Sequence, residues 1–207
     1  MASKCWTIAV LFPILVANAA AQQKNELTGI VGRTFISDQG VRGTNAGDTD
    51  LQFGNGFTFE VNYGRRLFGG PVAGLTLEVP FVYSPDEDLR FSLNLIPESY
   101  RSFFLTPSIR ANLVPDTGLS PWLSIGGGFG HFSESSNLEA GGPNPGKTGT
   151  TTGVLQIGAG LDVRIWHAIR LRGQVRDFYS GVPQLNDNTG KNRQHNLFVG
   201  GGVVWRF

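Results

Sequence analysis

Charged side chains recur at every second position in two long segments near the end of the chain. Asp162 and Arg164 share one parity of the segment Val154–Ile165, and three arginines share one parity of Ile169–Arg176. An interval of two places such side chains on one face of an extended strand and the apolar side chains on the other. Because carboxylates and guanidinium groups on neighbouring strands can pair, the spacing predicts a salt-bridged polar face.

The same parity adds charged residues from other segments to this face. The predicted network contains Glu60, Glu78, Arg110, Asp162, Arg164, Arg170, Arg172, Arg176 and Arg206. Glu60 and Glu78 are expected to be the main carboxylate partners, because buried charges must be paired. Glycines on the same face are expected to make room for the arginines: Gly126, Gly128, Gly158, Gly160, Gly200 and Gly202.

The composition excludes several classes of protein. Net charge is only +1, so nothing indicates a nucleic-acid partner. His131, His167 and His195 are scattered, which is poor spacing for a metal site. No phosphate-binding or dinucleotide motif is present, and we expect neither a metal nor a cofactor.

The N-terminus has the pattern of a secretory signal. Lys4 is followed by a short apolar run and by small-x-small cleavage signals around Ala19. We expect cleavage after Ala21, which divides the chain into a signal peptide, 1–21, and a single domain, 22–207. No later apolar run is long enough for a spanning helix.

The domain is predicted to contain eight alternating strands. They are expected at about Glu26–Phe35, Leu51–Arg65, Val72–Tyr83, Ser102–Val114, Ser120–Phe132, Val154–Ile165, Ile169–Arg176 and Gln194–Phe207. The first strand has an ambiguous facing, because Arg33 shares the parity of Val31 and Phe35. Pro107 interrupts the fourth strand, and we expect a bulge there because proline cannot donate to a ladder.

The connections alternate between long and short. The long, polar ones are expected at about Ile36–Asp50, Ser84–Arg101, Ser133–Gly149 and Ser180–Arg193, and their composition predicts mobile loops. This alternation is typical of outer-membrane barrels, with the short turns on the periplasmic side. Aromatic residues near the strand ends predict interfacial girdles, which include Tyr63, Trp122, Trp166, Trp205 and Phe207. Phe132 is expected in the girdle near the long loops.

Together with the signal segment and the terminal Val203-Val204-Trp205-Arg206-Phe207, these strands resemble the small outer-membrane barrels of the OmpA/OmpX and opacity type. The resemblance covers nearly all of the domain. It implies a closed eight-stranded antiparallel up-and-down transmembrane β-barrel in the bacterial outer membrane. It also implies contact with membrane lipids and lipopolysaccharide, and presentation of Phe207 to the barrel-assembly machinery.

Some eight-stranded barrels of this kind are lipid A acyl-modifying enzymes, and one deacylase type carries a His-x-Ser pair that faces the membrane. His131 and Ser133 have that spacing, and Glu134 or Glu139 could orient the histidine. A chance pair at a strand end is the simpler interpretation, so we expect no enzymatic activity.

The sequence therefore favours a monomeric, structural or surface-interacting outer-membrane barrel whose lumen is plugged by salt bridges. A narrow anion-selective channel is an alternative because arginines exceed carboxylates on the polar face. A soluble lipocalin-like barrel, with its apolar faces turned inward around a ligand, is another.

Overall fold

Alternation between apolar and polar residues produces extended strands along most of the chain. The computed structural model describes residues 24–37, 39–40, 50–53, 56–90, 96–139, 141–183, 185–186 and 190–207. The expected signal segment, 1–21, lies outside the described residues. The strands are β1 Asn25–Ile36, β2 Gln39–Gly40, β3 Asp50–Phe53, β4 Phe57–Gly69, β5 Ala73–Arg90, β6 Ser99–Leu105, β7 Ser108–Leu113, β8 Leu119–Glu134, β9 Thr150–Arg164, β10 Ile169–Ser180 and β11 Gln194–Arg206.

The strands close into a barrel. β1 pairs with β4 on one side and with β11 on the other, and each remaining neighbour pair is antiparallel. β6 and β7 together occupy one position between β5 and β8, so the wall contains eight strands. The predicted fold class is confirmed. β2 and β3 lie outside the wall. β3 pairs with the last two residues of β5, and β2 pairs with β3.

Among the residues that the structure describes, there is no helix that is long and apolar enough to cross a membrane.

The apolar faces of the strands point outward. Ile109, Ile125 and Ile157 form one row across β7, β8 and β9, with 49%, 58% and 55% of their surface exposed. Their polar neighbours point inward, as the buried side chains of Ser124 and Gln156 show. A lipocalin-like barrel requires the opposite facing, with apolar side chains inside. Along this row of the described wall, the apolar side chains are outside.

The predicted bulge at Pro107 is wrong. Leu105 pairs with Phe81, and Ser108 pairs with Glu78, so β6 and β7 keep the same register against β5. The interruption therefore removes ladder bonds without inserting a residue. Glycines allow β8 to approach at this point, because a Cβ at Gly128 would overlap the Leu105 carbonyl oxygen.

Several strand ends differ from the predicted ones. β5 continues to Arg90 and β6 begins at Ser99, so the second long connection is shorter than expected. The predicted second strand is divided into β3 and β4. The short turns lie at 70–72, 114–118 and 165–168, all at one end of the barrel, which is the arrangement that the alternation of long and short connections predicts.

Candidate functional site

The charged residues of the strands meet in the lumen at Arg110 of β7. Its Nη1 donates to Glu78 Oε2 at 3.0 Å, and its Nη2 donates to Glu26 on β1. Arg110 and Glu78 are fully buried. Burying a guanidinium costs the free energy of its hydration. Its contacts with two carboxylates offset this cost and allow the charge to remain inside the protein.

A second arginine continues the network toward β9. Arg172 Nε and Nη2 donate to the two carboxylate oxygens of Asp162 at 2.7 and 2.9 Å. The same Nη2 also donates to Glu26 Oε1 at 3.2 Å. Glu26 thus links Arg110 to Arg172, and carboxylates from β1 and β9 hold one guanidinium between them.

A third arginine joins the remaining carboxylates. Arg176 Nη1 donates to Glu78 Oε1 at 2.9 Å, and its Nε lies 3.4 Å from Glu60 Oε2. Glu60 also accepts a hydrogen bond from the side chain of Gln174. The network therefore reaches across the lumen from β4 and β5 to β10.

The ring of Trp122 faces the three arginines in the lumen. Its predicted place in an interfacial girdle is therefore wrong. It is 2% exposed, and its Nε1 donates to Asp162 Oδ1 at 3.1 Å. The guanidinium carbons of Arg110, Arg172 and Arg176 lie 5.5, 5.2 and 5.2 Å from its ring centroid, within the range of cation–π attraction. Its parity on β8, and not its position near a turn, determines that it points inward.

The short-turn end of the network contains two further arginines. Arg206 Nε lies 3.5 Å from Glu26 Oε2, and its Nη2 lies 3.8 Å from Asp162 Oδ2. Arg170 donates through Nη2 to the carbonyl oxygen of Pro115 at 2.9 Å. Both side chains are buried, with exposed fractions of 6% and 4%. They cover the lumen next to the turn 114–118.

Arg164 does not join the network, which corrects its predicted place. It is exposed at the last residue of β9, next to the turn 165–168, whereas its register partner Arg170 is buried. The parity of a strand residue specifies the face but not the depth along the barrel.

Glu26 is the residue that sequence reasoning missed. It contacts three arginines, more than Glu60 does. The expectation that Glu60 and Glu78 are the main carboxylate partners is therefore incomplete, because Glu26 is a third. The ambiguous facing of the first strand concealed it. Arg33 has the parity of the outward residues and is exposed, with its guanidinium 5.1 Å from the Phe57 ring centroid.

An apolar cluster fills the lumen toward the long connections. Phe104 and Phe178 stack with ring centroids 4.9 Å apart, and Phe104 meets Phe132 edge-to-face at 5.8 Å. Phe132 is fully buried, so its predicted place in the outer girdle is also wrong. The cluster consists of Ile30, Phe53, Val82, Leu89, Ile96, Tyr100, Phe104, Phe132, Val154, Phe178, Leu185 and Phe198.

The other predicted interfacial aromatics face outward or lie at the rim. Tyr63 is 45% exposed, and its hydroxyl donates to Asn25 Oδ1 at 2.9 Å. Trp166 is 70% exposed on the turn 165–168. Trp205 and Phe207 are partly exposed, with ring centroids 4.9 Å apart. All four are near the short turns.

The His-x-Ser pair lies on the outer wall of β8. His131 and Ser133 are both partly exposed, and His131 Nδ1 is 2.8 Å from the hydroxyl of Thr151. Glu134 has the opposite parity and is buried, so it cannot orient His131. Glu139 lies in the third long connection. Within the described chain, no group of three His, Cys, Asp or Glu side chains could hold a metal ion.

Comparison with known proteins identifies the fold. No protein-family model matches this sequence, and no curated protein does. Among solved structures, Neisserial surface protein A is similar, with a TM-score of 0.56 and 13% identity over 88% of this chain and 97% of that chain. The outer membrane protein OprG from Pseudomonas aeruginosa has a TM-score of 0.53 and 10% identity, over 89% of this chain and 96% of that chain. The chain has the fold of these outer-membrane barrels.

Proposed function

We propose that the protein is an integral outer-membrane barrel exported through a cleaved signal peptide. The observation that carries this proposal is the facing of the wall, with rows of apolar side chains outside and a charged network inside. A soluble barrel with this facing would expose Ile125, Leu123 and Phe129 to water. Large contiguous apolar surfaces are rare on soluble monomers and fit contact with lipid.

We also propose that the lumen is closed to solutes. An eight-stranded barrel is only wide enough for its own side chains. Arg110, Arg172 and Arg176 are engaged with carboxylates, and the apolar cluster fills the half nearer the long connections. These arginines bind groups of the protein itself and are therefore not free to bind anions passing through the lumen.

The remaining candidate for activity is the external surface made by the long connections, and we propose a structural or surface-interacting, non-enzymatic role for it. The described parts of these connections are joined by hydrogen bonds. Glu98 N donates to Asn137 O at 3.0 Å, and Asn186 Nδ2 donates to Asn144 Oδ1 at 2.8 Å. These contacts join the second, third and fourth connections. The proposed partners are outer-membrane lipids, lipopolysaccharide and, through Phe207, the barrel-assembly machinery.

Two measurements test the proposal. Unheated protein from outer-membrane fractions should migrate faster on a denaturing gel than heated protein, as a folded barrel does. Recovery as a soluble periplasmic or secreted species would contradict the membrane location. Purified protein in planar lipid bilayers should give no steady conductance. Sustained anion-selective openings would overturn the closed lumen while leaving the membrane location intact.

A further inference from the structure

A carboxylate–imidazole pair interrupts the apolar outer wall between β10 and β11. His195 Nδ1 donates to Asp177 Oδ2 at 2.6 Å. Asp177 pairs directly with Ile157 on β9 and with Leu197 on β11, and both of these neighbours are apolar and outward-facing. Both side chains face away from the lumen, so this pair does not belong to the network of charges inside the barrel.

The pair lies at the level where a membrane becomes polar. Asp177 is eight residues beyond Ile169, where β10 leaves its short turn. Strands that rise about 3.3 Å per residue and tilt by about 45° place it roughly 19 Å above that turn. The apolar band of such barrels is about 25 Å tall, so the pair lies near its upper edge, on the side of the long connections.

Apolar grooves flank the pair on both sides. One groove, of about 240 Å³, is lined by Leu155, Ile157 and Tyr179 together with the pair. The other, of about 350 Å³, is lined by Phe35, Ile36, Ser37 and Leu197 together with the pair. Both grooves are shallow and open outward. Apolar grooves directly beside a polar pair give one ligand both an apolar and a polar contact, as an acyl chain and its headgroup require.

A cation and the imidazole both lie close to one aromatic ring. The Arg193 guanidinium carbon is 6.0 Å from the Tyr179 ring centroid, and the His195 ring is 4.8 Å from the same ring. Arg193 and His195 are both exposed, and Arg193 Nη1 also donates to the Gly153 carbonyl oxygen at 3.3 Å. A guanidinium is a strong donor to phosphate oxygens, and so is an imidazolium, in which Nε2 carries a proton while Nδ1 stays bound to the carboxylate.

We propose that Asp177, Tyr179, Arg193 and His195 form an outer-wall site for a phosphorylated glycolipid of the lipid A type. Arg193 and the imidazolium form of His195 bind the phosphate, Asp177 orients the ring, and the two grooves accept acyl chains. This proposal rests on the proposed membrane function, since the site faces the outer leaflet only if the long connections are external. It specifies where on the wall the lipid binds and which side chains bind its phosphate.

Native mass spectrometry of the full barrel in detergent tests the site. Diphosphorylated lipid A is the probe, and dephosphorylated lipid A and phosphatidylglycerol are the comparison lipids. We expect the wild type to retain one diphosphorylated lipid A in preference to both. The double variant Arg193→Gln/His195→Leu should bind it roughly tenfold more weakly, because two charge-assisted contacts are lost.

His131→Leu is the matched control. It also removes an outward-facing histidine near the long connections, whose polar partner is Thr151, but it lies on the β8–β9 wall. Its lipid A affinity should equal that of the wild type. Equal binding of the double variant and the wild type, or no preference over the comparison lipids, overturns the site. A chain that forms no heat-modifiable barrel contradicts the proposed function itself, so the two failures are distinguishable.

Discussion

Arg172 and Asp162 face each other directly across the β9–β10 pair and are joined by two hydrogen bonds, Nε to Oδ1 at 2.7 Å and Nη2 to Oδ2 at 2.9 Å. Both side chains are fully buried. This two-pronged geometry fixes the planar guanidinium between a carboxylate and the ring of Trp122. Because both partners are buried and doubly hydrogen-bonded, this pair is a suitable place to measure what the network contributes.

Asp162→Asn should therefore destabilise the barrel by about 3–5 kcal/mol, because Arg172 keeps its buried charge and loses its two-pronged partner. The double variant Asp162→Leu/Arg172→Leu should cost less than the two single leucine substitutions added together. Urea unfolding in lipid vesicles, followed by heat-modifiable gel mobility, measures both. Strict additivity would show that the pair is not coupled.

Gly160→Ala should destabilise the barrel by about 1–3 kcal/mol through overpacking. A Cβ at Gly160 would overlap the Trp122 ring and lie 2.6 Å from the Gly173 carbonyl oxygen. Gly173→Ala on the neighbouring strand is the control, since its Cβ would meet nothing within 4 Å. Unfolding midpoints in urea distinguish the two. A similar loss in both variants would mean that the cost comes from the backbone and not from the ring.

Val114→Asn should stabilise the protein by about 1 kcal/mol. Val114 has φ 42° in the turn after β7, where a β-branched residue is strained and asparagine is tolerated. Val72→Asn is the control, because it changes the same residue type in another short turn without a positive φ. The unfolding free energy from urea titration should rise only for the first variant. A gain at both positions would indicate a general preference for polar turns.

Ile125→Arg should hinder membrane insertion, at a cost of about 2–4 kcal/mol for a cation at mid-depth on the lipid face. Leu119→Arg on the same strand is the control. It is also outward-facing but lies at the short-turn end, where the cost falls to about 0–1 kcal/mol. The folded fraction in vesicles, read from gel mobility, should decrease only for the first variant. Equal folding of both would favour water outside the wall.

Except on the first strand, parity was sufficient to predict which face is charged, since the period of two follows from backbone geometry alone. It placed Glu78, Arg110 and Arg176 in the lumen without any knowledge of pairing. It did not give depth, which is why Arg164 was misplaced: the rim of the lumen depends on where the neighbouring turn ends. Pairing partners depend on register across several strands, and a single sequence does not state that register.

Two other errors have separate physical causes. Trp122 and Phe132 were assigned to girdles because aromatic residues collect at membrane interfaces, but inward parity on β8 overrode that preference. Glu26 was overlooked because Arg33 made the first strand ambiguous. An outward arginine is accommodated near the long connections, where it lies over Phe57. Depth along the strand would have resolved the ambiguity.

The position of Glu26 on β1 has a consequence for assembly. β1 and β11 are the first and last strands of the wall, and Glu26 pairs with Arg206 in the register of their seam. Until that seam forms, Arg110, Arg172 and Arg206 lack the carboxylate that the first strand brings. Neutralisation of the interior is therefore completed by joining the two ends of the sheet. A partly closed sheet leaves the Glu26 carboxylate and its guanidinium partners unpaired, which makes closure of the seam and pairing of these charges one cooperative event.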